Sequence, residues 1–273
     1  MRYRWQKDCA YVFLEWFSWL VGFVLIVVGA SLYAQVGELQ KDSPLVDRFL
    51  LWCQQQAWWL LGLSVIGTGV AGWLRKWLGP PTTWKAIHIC LKQLQQYLFS
   101  EDSVDHDHRI TIFRHVRYGW YCNKSFYLWN PFTWCWTDCL IPVERSSHTT
   151  RTTSVRFYAP LNKPEQAEGV AGQAWVGSRV IEIKNLPDLD HEPNEIEVGE
   201  YASHTFVSPE WVRNERKKKA LARSFLALPI EVNGREWGVL IIDSRVPKVI
   251  SKQKMFHYRK LVGPILQELL EGV

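Results

Sequence analysis

Two long apolar runs stand near the start of the chain, Trp16 to Ala34 and Ala57 to Leu74, and neither contains an Asp, Glu, Lys or Arg. A bilayer core takes about 20 apolar residues of helix, and only a helix satisfies its own backbone hydrogen bonds in lipid. Each run is therefore expected to span a membrane, which makes residues 1–78 a two-span hairpin. Ser43 followed by Pro44 is a helix-start signal, so the second helix is expected to begin ahead of its apolar run. The first run is longer and more aromatic than a signal-peptide core, with Trp16, Phe17, Trp19 and Phe23, and a second span follows it. It reads as a retained span.

Two prolines within Leu78 to Thr83 break the second helix. Residues 79–104 then read as a linker and a stalk helix. Trp84, Ile87, Leu91, Leu94 and Leu98 fall at the a and d positions of a heptad. A core helix packed on the following domain and a short coiled coil both fit that spacing. From about residue 105 the pattern becomes mixed. Ile110 to Val116, Cys139 to Glu144 and Ser154 to Tyr158 read as strands, and Ala174 to Ile183 as a strand, a turn and a strand. Phe225 to Val232 and Trp237 to Ile242 flank Asn233-Gly234, a strong hairpin signal. Ser208-Pro209 opens a helix to about Arg223, and a last helix runs from Ser251 to Leu270. The expected fold class is a membrane α-helical hairpin followed, over residues 105–273, by an α+β cytosolic domain.

Charge orients this arrangement. Arg2, Arg4 and Lys7 precede the first span, and Arg75, Lys76, Lys85 and Lys92 follow the second. The loop between the spans holds only Lys41 and Arg48 beside Glu38, Asp42 and Asp47. Basic flanks stay inside, so both termini are expected in the cytoplasm, in a multi-pass protein of a bacterial inner membrane. Six cysteines without a disulfide-like pattern agree with a reducing compartment. The net charge of +5 is too modest to argue for nucleic acid by itself.

Candidate chemistry is sparse. Gly62, Ser64, Thr68 and Gly72 are small residues at helical spacing in the second span. They let helices approach closely, either within the hairpin or between copies. Gln54, Gln55 and Gln56 precede that run, at the outer membrane face or lining a wet passage in an oligomer. Cys122, Cys135 and Cys139 with His115 or His148 match no common zinc spacing, so buried thiols are the preferred reading and no metal is expected. His106 and His108 read as solvated loop residues. The aromatic stretch with Trp129, Trp134 and Trp136 is either a docking surface or a local core. Arg213, Arg216, Lys217, Lys218, Lys219 and Arg223 form a basic segment suited to an anionic ligand or partner. The acidic stretch Asp188 to Glu200, which holds Asp190, Glu192, Glu195 and Glu197, offers them partners within the chain instead. No nucleophile elbow, P-loop, His-Glu-x-x-His or Cys-x-x-Cys occurs, so no enzyme and no cofactor are expected.

The stretches EGVAGQAWVGSRVIEIKNLPD (Glu168 to Asp188) and SFLALPIEVNGREWGVLIIDS (Ser224 to Ser244) resemble the middle motif and the central hairpin of GAF domains. The resemblance covers roughly residues 84–271, with residues 120–137 departing from the pattern. It implies an antiparallel sheet with flanking helices, pairing of the end helices into a homo-oligomer, and a sensor that binds a small molecule, a partner or nothing. The layout as a whole is similar to two-span effectors of bacterial antiphage modules. Those pair with a nucleotide signal or with a reverse transcriptase–nucleic acid complex and permeabilise the membrane. The expectation is thus a membrane-permeabilising effector in contact with lipid and controlled by its GAF-like domain. The alternatives are a membrane-tethered small-molecule sensor that recruits a partner, and a scaffold of a membrane complex.

Overall fold

A computed structural model describes residues 2–33, 44–99, 107–117, 138–146, 155–191, 193–247 and 250–272. The chain forms two compact units that meet in sequence at Thr83–Trp84. The first contains α1 (Arg2–Tyr33), α2 (Pro44–Gln55) and α3 (Ala57–Leu78). α2 starts at the expected Pro44. Gln56 separates α2 from α3 in conformation, yet its N–H donates to the Trp52 carbonyl and its own carbonyl accepts from Leu60. Two helical stretches are long and apolar enough to cross a membrane, Asp8–Ala30 and one within Ala57–Leu98.

α1 and α3 pack on each other through few residues. Val21, Val28, Ser64 and Ala71 are buried, and Gly67 lies against the ring of Phe17. At one end Arg75 donates to the Tyr11 hydroxyl (3.4 Å) and lies 3.7 Å from Glu15. Most other large apolar side chains point outward: Trp58 is 86% exposed and Trp19 75%. The cores of water-soluble units hide such residues.

The second unit starts within α4 (Pro81–Leu98) and is built on a sheet. Its strands are β1 (His108–Val116), β2 (Cys139–Arg145), β3 (Phe157–Tyr158), β4 (Ile181–Ile183), β5 (Ser224–Val232) and β6 (Arg235–Ser244). They pair antiparallel in the order β3-β2-β1-β6-β5-β4. Helices α5 (Gly169–Val176), α6 (Glu195–Thr205), α7 (Pro209–Arg216) and α8 (Lys252–Glu271) complete it. The β5–β6 hairpin turns at Asn233 and Gly234, both with positive φ, as the sequence requires. Gly238 sits in β6 where a Cβ would lie 2.0 Å from the Phe113 carbonyl oxygen, so only glycine lets β1 and β6 pair there.

Side chains alternate across the sheet. Phe113, Leu140, Val239 and Ile241 pack against α5, while Ile110, Ile112, Leu226 and Ile242 are buried on the other face. Leu186, Val198, Tyr201, Ala202, Val212 and Leu221 form a second core around α6 and α7. All five heptad positions of α4 are buried, the arrangement of a core helix. His88 on α4 bonds Glu144 of β2 at 2.8 Å, and Gln95 donates to the His108 carbonyl at 2.8 Å.

Several expectations change here. Ala174 to Ile183 is not a strand pair: its first part ends α5, and only Ile181–Ile183 is a strand. The residues of α5 are buried almost all round, so no period separates a helix from a buried strand. The helix from Pro209 stops at Arg216, which leaves Lys217, Lys218, Lys219 and Arg223 beyond its end. His108 is buried in β1 rather than solvated, stacked on Phe99 at 3.9 Å and bonded through Nδ1 to Ser244 at 2.8 Å. Cys139 is disulfide-bonded, with a partner outside the described residues, so the expectation of reduced thiols fails at that position. Spacing along a chain does not show which cysteines the fold brings together. The orientation therefore rests on flanking charge alone.

Burial pushes the His108 imidazole below its ordinary value of 6.5, against a smaller pull upward from Asp107 and Asp243. The unfolded chain then binds the proton first as pH falls. Stability contributed by neutral His108 is complete above about pH 6.5 and is lost below it, toward the lowered folded value. Urea titrations of detergent-solubilised protein at about pH 7.5 and about pH 5.5 check this. The midpoint falls at the lower pH, and His108→Asn reduces that fall.

Candidate ligand-binding cavity

One face of the sheet does not close completely. A cavity of about 90 Å³ lies between β1, β2, β5 and β6 on one side and α5 to α7 on the other. That is room for several water molecules or a small organic molecule. Its walls are largely apolar, with Phe113, Phe157, Val170, Trp211, Phe225 and Ile241. Gly169 opens α5 with φ +71° at a point where a Cβ would meet the Phe157 ring at 2.4 Å. Its N–H donates to the Phe206 carbonyl at 2.7 Å, which ties the start of α5 to the end of α6.

The polar end is made by residues far apart in the chain. Arg109 and Thr111 come from β1, Arg145 from β2, Asp243 from β6, and Tyr201 and Thr205 from α6. Arg109 Nε donates to Asp243 Oδ2 at 2.7 Å, and both side chains are largely buried. Arg145 Nε donates to the Thr111 hydroxyl at 2.9 Å. Burial pushes the Arg145 guanidinium down, Asp243 pulls it up, and the neighbouring charge of Arg109 pushes it further down. The Tyr201 hydroxyl donates to the Ala222 carbonyl at 2.9 Å, and burial followed by the charge of Asp243 raises its pKa well above the ordinary range. The site is thus a largely apolar pocket whose polar end carries two hydrogen-bonded guanidiniums and one carboxylate.

The basic segment is not a single face. Arg213 bonds Glu195, Arg216 donates to the His191 carbonyl (3.1 Å), and Lys218 and Lys219 both reach Glu215 at 2.8 and 3.2 Å. Arg223 bonds Asp188 at 3.0 Å and the Leu186 carbonyl. Lys217 is exposed. Burial acts to raise the Glu215 carboxyl, but the bonds from Lys218 and Lys219 outweigh it and hold it below the usual range. Lys219 alone of this segment lines the cavity.

In the helical unit, Ser64 faces α1 together with Gly67 and Ala71. Gly62, Thr68 and Gly72 are exposed, and the Thr68 hydroxyl donates to the Ser64 carbonyl at 2.7 Å. Gln55 is exposed and Gln56 half-buried, while the Gln54 side chain is outside the described set. Trp129, Trp134, Trp136, Cys122, Cys135 and His148 also lie outside the described residues. His115 bonds Asp138 at 3.1 Å and stacks on Trp175 at 4.5 Å. Among the described residues no group of three metal-ligating side chains occurs.

No protein-family model and no curated protein matches the chain. Solved structures similar to it include a type II free methionine-R-sulfoxide reductase from Thermoplasma acidophilum, at 12% identity and TM-score 0.38 over 69% of this chain and 94% of that one. They also include the GAF domain of an Acinetobacter phosphoenolpyruvate-protein phosphotransferase, at 12% identity and TM-score 0.38 over 70% and 91%. A third is the GAF domain region of a putative membrane protein from Geobacter sulfurreducens, at 14% identity and TM-score 0.36 over 70% and 95%. The antiparallel sheet with flanking helices matches a GAF-like α+β domain. The likeness concerns the fold and transfers no activity.

The expectation that the chain is not an enzyme is withdrawn. The similar structures include free methionine-R-sulfoxide reductases, which are enzymes on a GAF-like fold. Groups that converge only after folding leave no local motif, so a missing motif excludes little.

Removing one partner of a buried ion pair strands the other charge. Asp243→Ala leaves Arg109 and Arg145 facing each other without a carboxylate. The expected cost is about 3 kcal/mol, read as a lower urea midpoint of the solubilised protein. Asp188→Ala, at an exposed position whose partner Arg223 is half-buried, is expected to cost about 0.5 kcal/mol in the same measurement.

Proposed function

We propose that this chain is a membrane-tethered sensor. Its N-terminal helices hold it in a bilayer, and its GAF-like domain binds a small molecule in the cavity between the sheet and α5 to α7. The observation that carries this reading is the cavity, which has apolar walls and a few convergent polar groups at one end. The tether is supported by the outward-facing apolar side chains of α1 and α3, a surface for lipid rather than water. Flanking charge supports cytoplasmic termini. The basic segment and the undescribed aromatic stretch remain candidate partner surfaces in this reading.

A small-molecule library tested on the full-length protein in detergent checks the sensor reading. At least one compound is expected to raise the melting temperature by several degrees, since saturation at about 100 times Kd adds about 2.7 kcal/mol. Val207→Trp, which fills the cavity from its rim, should remove that shift. Shifts that survive this variant, or a library without any, would reject the reading.

A second reading has one observation of its own. Gly62, Thr68 and Gly72 are exposed on α3 and left unused by the hairpin, a surface on which copies of the chain could assemble. Assembled spans would permeabilise the membrane, as an effector does. No described residue speaks for an antiphage setting, a nucleotide signal or a reverse transcriptase complex. The sensor reading expects the membrane potential to persist when the full chain is expressed. Depolarisation that Gly72→Leu abolishes would select the effector instead.

A further inference from the structure

The charges at the polar end of the cavity do not balance. Arg109 and Arg145 both line it, and the carboxylate between them is Asp243. Asp243 is held by Arg109, through Nε at 2.7 Å and through a terminal nitrogen as well. Lys219 shares the Glu215 carboxylate with Lys218. Arg145 has only a neutral side-chain partner among the described residues, the Thr111 hydroxyl on its Nε. Its two terminal nitrogens are left for something else. Those nitrogens are not sealed off, so an anion that enters the cavity can reach them and form a charge-assisted pair with the guanidinium.

From this geometry we infer that the cavity takes a small monocarboxylate with an apolar body, its carboxylate received by the free fork of Arg145. The inference rests on the sensor reading and names the class of its ligand. The open fork of Arg145 calls for one negative charge. Asp243 stands beside the site and opposes a second one, which argues against a phosphate dianion or a dicarboxylate. The planar fork matches the two oxygens of a carboxylate. The rest of the ligand meets Phe113, Phe157, Val170 and Trp211, which offer it contact area but no hydrogen bonds from Phe or Val.

Isothermal titration of the full-length protein in detergent micelles tests this with three probes: 4-methylpentanoate, its neutral amide 4-methylpentanamide, and inorganic phosphate. The acid is expected to bind with one site per chain and at least about tenfold more tightly than the amide, the loss of one charge-assisted fork. Arg145→Gln should abolish that preference, and Arg145→Lys should keep part of it. Thr111→Val leaves the guanidinium charge in place and should weaken the acid less than Arg145→Gln does. Near-ultraviolet circular dichroism and the melting temperature of each variant show whether it is folded. If Arg145→Gln does not fold, the Thr111→Val titration and the acid-to-amide ratio of the natural chain still decide. Equal binding of acid and amide would overturn the inference and leave the sensor reading standing. Tighter binding of phosphate would overturn it as well. If neither acid nor amide binds, the inference fails, and the library measurement with Val207→Trp shows separately whether the cavity binds anything.

Discussion

The pairing of β1 with β6 is the constraint on which the second unit depends. Arg109 stands opposite Asp243 and His108 opposite Ser244 in one antiparallel register. Because side chains alternate across a sheet, this short stretch serves both faces. Arg109 and Asp243 join as an ion pair in the cavity. His108 and Ser244 join on the other face, beneath Phe99 and Gln95 at the end of α4. A slip of one residue in β1 would turn Arg109 onto the face of Ile242 and carry Ile110 and Ile112 to the side of Asp243. Gly238 guards the register further along, since no other residue permits so close an approach to Phe113.

The two units solve opposite solvation problems. In the sheet unit each buried charge has a named neighbour, and the exposed cations beyond α7 mostly have one too. Those exposed pairs add little stability in water. They draw the basic segment toward the acidic stretch before α6, which spreads its charge instead of gathering it on one surface. The helical unit hides little and shows its aromatic side chains outward, with Arg75 bound to Tyr11 and close to Glu15 at one end. The proposed membrane tether rests on that outward apolar surface.

The cavity follows from incomplete closure between these layers. α5 is short and lies close to β3 because Gly169 and Gly172 bring backbone near Phe157 and Tyr158. α6 and α7 carry their own core, and space is left between them and Thr111 and Arg145. The polar end is therefore formed where three separately packed pieces converge. The fork of Arg145 that opens into that space is what the proposed ligand would complement.

Sequence alone determined what local physics controls. The charge-free apolar runs set two helices of membrane length, Pro44 set the start of α2, and Asn233-Gly234 set the β5–β6 turn. Pattern reading marked strands, by alternation in β1 and by two apolar runs around a turn signal in β5 and β6. It failed at α5, which is apolar nearly all round and so carries no period, and beyond Arg216, where a helical spacing of charges continued without a helix. The cavity residues were not legible at all. Arg109, Thr111 and Arg145 look like ordinary polar positions of half-exposed strands, and Asp243 like the end of a hairpin. The one trace was a charge on the same strand face as Phe113. Only the tertiary structure decided that these groups meet, that no carboxylate among the described residues pairs with Arg145, and that Cys139 is oxidised. Each of these depends on contacts between residues far apart in the chain, which no local pattern records.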